Sequence, residues 1–255
     1  MMTSSSTEII AHRGASADAP ENTLEAFQLG LDQGAEAIEC DVRLSRDGKL
    51  VVIHDETVER VAGADGIVAE MGLAELNALD AGSWKSPKWH EARIPALAEV
   101  LDLIPVDRRI FIEIKVGLPA LAPLKKLLAE SPLPMSQIVL MEFDLDTVIA
   151  MKLACPEAEV LWLNDFSPLS MPWQRRRLIR KNLRTAGRHS LDGINFQNIP
   201  QLDAGVIRSC HQQSLHCYCW TVDDSDRAAD LVAGGLDGIA TNRPGWMRQQ
   251  LDRPK

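Results

Sequence analysis

Apolar runs of strand length recur at 8–11, 37–41, 50–54, 109–114, 138–141, 159–163, 193–196, 215–222 and 238–240, with more polar stretches between them. Most of the intervening stretches are patterned as helices. The first, 23–33, carries Leu24, Phe27 and Leu31 at helical spacing and stops before Gly34. Further helices are predicted over 96–103, 118–129, 145–154, 172–184, 203–213, 224–233 and 244–251.

Nine strands are one too many for eight β/α repeats. Between Leu44 and Lys49 stand only Ser45, Arg46, Asp47 and Gly48, whereas a parallel crossover needs about a dozen residues. The runs at 37–41 and 50–54 therefore form an antiparallel hairpin with Asp47-Gly48 in its turn, which is expected to bring His54 opposite Glu39. Eight parallel units remain, the pattern of an α/β TIM (β/α)8 barrel, whose active sites lie at the C-terminal ends of the strands. Residues 56–95 are too long for one loop and contain a helical piece at 74–79, so they read as a small insertion after His54 that caps one side of the mouth. Nothing marks a second domain, and 1–255 reads as a single barrel domain carrying that insertion.

At 255 residues and 45% hydrophobic content the chain can bury a large core. A net charge of -9 argues against a nucleic-acid partner and leaves room for a small anionic substrate held by local cations. No apolar run approaches the ~18 residues of a membrane span, and no stable membrane association is expected. Five cysteines, an odd number widely spread, do not make a disulfide framework. The start, Met1 to Glu8, has neither a basic nor an apolar leader region, so a cytoplasmic location is expected. Oligomeric state is left open, a homo-oligomer included.

His12 and His54 each end an apolar run, and Glu39-x-Asp41 puts two carboxylates on one strand face, with Glu113 ending a later strand. Singly, such residues are ordinarily structural. Together at one barrel mouth they suit a hard divalent cation, Mg²⁺ or Ca²⁺, flanked by two imidazoles able to share acid and base work. Arg13 and Lys115 add cations that could hold a phosphate or balance the carboxylates.

These residues resemble a known family. His12-Arg13-Gly14, Pro20-Glu21-Asn22-Thr23, Glu39-x-Asp41, Asp47-Gly48, His54-Asp55 and Glu113-Ile114-Lys115 are similar to the signature of glycerophosphodiester phosphodiesterases. The similarity continues through Asp80-Ala81-Gly82-Ser83-Trp84, Ile94-Pro95, Trp220-Thr221-Val222 and Thr241-Asn242-Arg243-Pro244. The resemblance implies a divalent metal on Glu39, Asp41 and Glu113, and His12 and His54 as the acid/base pair. It further implies that Arg13 and Lys115 hold the phosphate and Trp220 lines the glycerol side. The implied reaction is hydrolysis of glycerophosphodiesters, such as glycerophosphocholine or glycerophosphoethanolamine, to sn-glycerol 3-phosphate and an alcohol. Two departures stand out: Met141-Glu142 precede Phe143 where small serines are usual, and Asn242 stands where Asp is common. Neither is expected to touch the metal-histidine core.

A related phospholipase acting on intact lipid, or a barrel that binds a phosphodiester without turning it over, are the rival readings. The remaining features read blandly. Cys217-x-Cys219 is strand packing, and His90, His189, His211 and His216 lack matching partners. The run from Arg175 to Arg188 reads as a solvated helix face rather than an anionic-partner site. Trp84 and Trp89 form either the core of the insertion or the wall of the cleft.

Overall fold

The computed structural model describes residues 7–253, so residues 1–6, on which the absence of a leader was read, lie outside the described residues. Among the described residues nine strands form: β1 Glu8–His12, β2 Ala37–Leu44, β3 Leu50–Val52, β4 Arg109–Ile114, β5 Ile138–Glu142, β6 Glu159–Asn164, β7 Gly193–Gln197, β8 His216–Trp220 and β9 Gly238–Thr241. Eight of them pair in parallel and close, because β1 bonds both β2 and β9. β3 alone is antiparallel and pairs with β2 as a return arm. Around this TIM barrel run α1 Leu24–Asp32, α4 Leu97–Leu103, α5 Leu121–Glu130, α6 Leu145–Ala154, α7 Pro172–Arg188, α8 Ala204–His211, α9 Ser225–Ala233 and α10 Pro244–Leu251. Two short helices, α2 Glu59–Ala62 and α3 Leu73–Asn77, belong to the insertion.

Strand alternation divides the apolar residues between two cores. Ile10, Ala37, Phe111, Val139, Leu161 and Tyr218 fill the barrel interior, while their neighbours Ile9, Ile38, Ile110, Ile112 and Leu140 pack outward under the helices. The same period carries His12, Glu39, Asp41 and Glu113 onto the inward face, one or two steps beyond the apolar layer. Side-chain caps fix how the chain leaves the mouth: Thr23, Asp144, Asp203 and Asp224 each accept from a backbone N–H in the first turn of the helix that follows.

The hairpin differs from expectation by one residue. Ser45 N donates to Lys49 O at 2.9 Å, so the loop spans Arg46, Asp47 and Gly48, with Gly48 at φ 71°. The pairs are Val42 with Val52 and Leu44 with Leu50, and Ile53 N donates to Asp41 O at 2.9 Å. Continuing that register sets His54 opposite Cys40 rather than Glu39, just past the end of β3. Farther on, the helix expected over 118–129 splits into a 3-10 turn at Leu118–Ala120 and α5, the two prolines falling in first turns where a missing N–H costs nothing.

The insertion has its own aliphatic core of Val58, Val61, Val68 and Leu76 against Val51 and Ile53 of the hairpin. Trp84 and Trp89 take neither expected role, being outside both this core and the mouth cavity; Trp84 is 42% exposed and donates from Nε1 to Ala81 O at 2.8 Å. Cys217 and Cys219 are buried free thiols in strand packing, as read. His211 and His216, in contrast, do have acidic partners, Asp237 at 2.9 Å and Glu159 at 2.6 Å. No helix among the described residues is long and apolar enough to cross a membrane.

A polar plug closes the end of the barrel opposite the mouth. Arg109 reaches Glu8 at 2.8 Å, pairs closely with Glu159, and donates to the Tyr218 hydroxyl at 3.2 Å. Burial pushes the Glu8 carboxyl up, whereas His216 and Arg109 hold Glu159 below its usual range despite burial. One cation thus holds two acids in a largely desolvated layer. Arg109→Met would strand Glu8 and leave Glu159 to His216 alone, and is expected to cost about 3 kcal/mol, a fall in Tm on the order of 6–12 °C for a chain this size. Thermal unfolding of the variant measures this directly; an unchanged Tm would show that the plug contributes nothing to stability.

Candidate active site

Pairing register assembles the mouth. His12 lies beside Glu39 across β1 and β2, and Asp41 beside Glu113 across β2 and β4. Each of the three carboxylates offers an oxygen within 4.8 Å of the others. All are buried, Asp41 completely and Glu39 and Glu113 at 3% and 9% exposure, and such a cluster is unstable without compensation.

The turn after β1 supplies part of that compensation. Arg13 sits at φ 55° and Gly14 at φ 81°; a Cβ on Gly14 would fall 2.4 Å from the Ala26 carbonyl carbon, so glycine lets α1 pack against this turn. Turned this way, Arg13 N donates to Glu39 Oε2 at 2.9 Å and Arg13 Nε lies 3.0 Å from Asp41 Oδ2. The second contact is a charge pair, because Arg13 Nε is not aligned as a hydrogen bond. Asn22, also left-handed at φ 58°, donates from Nδ2 to Asp41 Oδ2 at 2.9 Å and accepts from Asp41 N at 3.2 Å. Lys115 Nζ stands 2.5 Å from Glu113 Oε1 and 3.6 Å from Asp41 Oδ1.

Three acids face two cations, and the titration of the acids records the excess. Burial, then the charges of Asp41 and Glu113, push Glu39 well above the ordinary carboxylate range. Burial and Asp41 push Glu113 up to about 7. At Asp41 burial also acts upward, but Arg13, Lys115, His54 and the Asn22 amide outweigh it and hold the group low. Asp41 Oδ1 is buried with no hydrogen-bond partner. Surplus negative charge, hard oxygen donors and an orphaned oxygen fit a divalent cation of the Mg²⁺ or Ca²⁺ type.

The two histidines have different partners. His12 Nδ1 lies 2.8 Å from Asn242 Oδ1, which also accepts from Ser16 Oγ at 2.8 Å. Asn242 Nδ2 donates to Asp223 Oδ2 at 2.6 Å, and this orients the amide so that its oxygen faces the ring. His12 Nδ1 therefore carries the hydrogen and Nε2 is the basic nitrogen. Burial, with Arg13 nearby, lowers the His12 pKa. His54 Nδ1 lies 2.6 Å from Asp55 Oδ1, and its carbonyl accepts from Arg43 Nε at 2.8 Å. Asp55 is held down to about 2, chiefly by Arg60, so a carboxylate backs this ring.

Arg60, from α2, ties the insertion to the mouth. It donates to Asp55 at 2.6 Å and to both oxygens of Glu21 at 2.8 and 3.0 Å, and Glu21 in turn accepts from Arg13 at 3.0 Å. An unbroken ionic chain runs from His54 to Asp41.

His12, Arg13, Glu39, His54, Glu113 and Lys115 line one cavity of about 220 Å³, with Asp41 behind them. Trp220 and Phe143 form its apolar wall, edge to face at 5.7 Å, with Lys115 Nζ 5.8 Å from the Phe143 ring. A larger groove of about 630 Å³ runs between the hairpin and α5, but its lining brings no set of acid, base or ligand groups together.

Both sequence departures reach the core, contrary to expectation. Asn242 bonds His12 directly, and Met141 lines the cavity beside Glu113. Barrel closure is the reason: β9 lies against β1 with Thr241 opposite Ala11, so the next residue on each strand meets at the mouth. Glu21, Asn22, Asp55 and Arg60 had no individual role in the sequence reading. The one local signal was the Asn22-Thr23 pair, a residue tolerant of left-handed backbone ahead of a helix cap.

The family model for the glycerophosphoryl diester phosphodiesterase family matches residues 12–246. A glycerophosphodiester phosphodiesterase of Caldanaerobacter subterraneus subsp. tengcongensis is 34% identical over 242 residues, covering 93% of this chain and 95% of that protein. Among solved structures, an Oleispira antarctica phosphodiesterase in complex with the product sn-glycerol-3-phosphate matches with a TM-score of 0.83 and 26% identity, over 97% of this chain and 98% of that one. The Agrobacterium tumefaciens glycerophosphodiester phosphodiesterase matches with a TM-score of 0.79 and 26% identity, over 95% of this chain and 99% of that one. The chain belongs to the glycerophosphoryl diester phosphodiesterase family. It is a glycerophosphodiester phosphodiesterase.

The raised acids carry a stability signature. Glu113 titrates near 7 in the folded, metal-free protein against an ordinary 4.5, so protonation favours the fold. That contribution is complete below about pH 4.5 and is lost as pH rises through about 7, with Glu39 acting in the same direction. Unfolding in chelator should therefore show Tm falling across this window, and Glu113→Gln should flatten the slope. An unaltered slope in the variant would contradict the assignment.

Proposed function

We propose that the enzyme hydrolyses soluble, deacylated glycerophosphodiesters, such as glycerophosphocholine and glycerophosphoethanolamine, to sn-glycerol 3-phosphate and an alcohol. The observation that carries this reading is the pair of differently partnered imidazoles lining one cavity with the buried carboxylate cluster. Product bound to the Oleispira antarctica relative supports the substrate class. A cavity of about 220 Å³ suits a polar glycerophosphate group better than the acyl chains of an intact phospholipid.

Glu39, Asp41 and Glu113 would hold a divalent cation, which when bound supplies Lewis-acid polarisation of a phosphoryl oxygen. With the acids so occupied, Arg13 and Lys115 are freed to turn charge toward the phosphate oxygens. Trp220 and Phe143 offer an apolar face to the glycerol carbons. His12, neutral near pH 7 with Nε2 unprotonated, accepts the proton of the attacking hydroxyl, either water, or the glycerol 2-hydroxyl to give a cyclic phosphate that a water then opens to sn-glycerol 3-phosphate. His54, backed by the Asp55 carboxylate at Nδ1, gives a proton to the alcohol oxygen as the P–O bond breaks.

Chelator-treated enzyme should lose turnover of glycerophosphocholine and regain it on adding Mg²⁺ or Ca²⁺, and Glu113→Gln should weaken metal affinity measured by calorimetry. Full activity of verified metal-free protein would exclude the metal reading.

His12→Ala and His54→Ala should each lower kcat by about 10²–10⁴, and the double variant should lose far less than the product of the two. A substrate with an activated leaving group should rescue His54→Ala and not His12→Ala. Rescue of His12→Ala instead would reverse the roles, and near-normal kcat in both would assign the rings to binding.

A further inference from the structure

Helix α7 carries seven arginines and lysines and no acid. The chain's net charge is -9, so with the +7 of α7 removed, the remainder carries -16. Such separation is invisible in the total. At 1.5 Å per residue the helix is about 25 Å long, and its residues divide sharply between faces. Ile179, Leu183 and Ala186 are buried against the barrel. Arg177, Arg180, Lys181, Arg184 and Arg188 are all exposed, and successive turns of 100° place them in one stripe roughly 100° wide.

Those five side chains pair with no carboxylate among the described residues, whereas neighbouring Arg176 reaches Asp203 at 3.1 Å. Like charges four residues apart, as at Arg177 and Lys181, Arg180 and Arg184, and Arg184 and Arg188, destabilise a helix, and α7 carries no acid to offset them. Trp173 falls on the same stripe at its mouth-side end and is 59% exposed, and Met171 just before it is 48% exposed. An aromatic and aliphatic tip beside a straight cationic stripe matches an interface in which cations meet headgroup phosphates and the tip enters the headgroup layer.

We propose that the outer face of α7 is a docking surface for an anionic lipid bilayer, with Trp173 and Met171 as the inserting tip. The enzyme then lies with its barrel wall on the membrane and its mouth open at the edge of the contact, where diesters derived from membrane lipids are released. The strongly acidic remainder is repelled by the same surface, so docking has one orientation. Met171 beside Trp173 favours a bilayer over a nucleic acid, since an aliphatic side chain gains nothing from base stacking.

The full-length enzyme should co-sediment with vesicles of phosphatidylcholine containing about one-third phosphatidylglycerol and not with pure phosphatidylcholine, and should be released by salt near ~0.5 M. At about fivefold per basic residue, Arg177→Gln/Arg184→Gln should lower the partition about 25-fold. Trp173→Ser should weaken binding that persists at intermediate salt. Neither variant should alter turnover of soluble glycerophosphocholine, which confirms that the protein remains folded. Failure of the native enzyme to bind the anionic vesicles, or equal binding by the glutamine variant, would overturn the proposal. So would a single-stranded oligonucleotide bound in preference to the vesicles, which would make the stripe a nucleic-acid surface.

Discussion

Three carboxylates buried at the ends of two adjacent strands are the constraint on which the rest of the mouth depends. Desolvation and mutual repulsion make Glu39, Asp41 and Glu113 costly. Much of the surrounding structure serves to contain that cost. The left-handed turn at Arg13 delivers one backbone N–H and one guanidinium to the pair on β2. Asn22 grips Asp41 by side chain and main chain, and Lys115 bridges the acids on β2 and β4. What these groups leave over, a raised Glu39 and Glu113 and an orphaned Asp41 oxygen, is the free energy available to bind a cation.

The barrel solves a similar problem differently at its other end. There Arg109 sits between Glu8 and Glu159, and the Tyr218 hydroxyl and His216 complete the layer. Each of its acids has a positive partner, so this layer seals the barrel without presenting an unsatisfied oxygen. The mouth has more acids than cations and a cavity above them. Ligand binding is expected where charge is deliberately unbalanced and accessible, which separates the two acidic layers on physical grounds.

Period-two alternation and the shortness of the 45–48 link were enough to predict the closed barrel and its antiparallel arm. They also placed His12, Glu39, Asp41 and Glu113 on one inward face. Register within the hairpin depends on where the turn is centred: the three-residue loop centred on Asp47 sets His54 opposite Cys40, whereas pairing with Glu39 needs a turn centred between Arg46 and Asp47. Contacts across the seam of the barrel were also hidden. Asn242 and His12 are 230 residues apart, and only closure makes them neighbours. The separate charge of α7 was visible as a run of arginines, but which of them lack acid partners depends on how the helix packs.

The insertion's role follows from the ionic chain through Arg60. Asp55 would orient His54 even alone, but as a free carboxylate at a loop end it could rotate to solvent. Arg60 restrains it and also holds Glu21, which holds Arg13 against Asp41. The aliphatic core shared by Val58, Val61, Val51 and Ile53 anchors α2 to the hairpin, so Arg60 is presented from packed structure rather than from a loose loop. Moving the insertion would therefore disturb His54 and Arg13 together, although they arise from different strands. Each is held through a carboxylate that Arg60 contacts, so the relative position of one imidazole and one guanidinium at the mouth is set by a residue that touches neither.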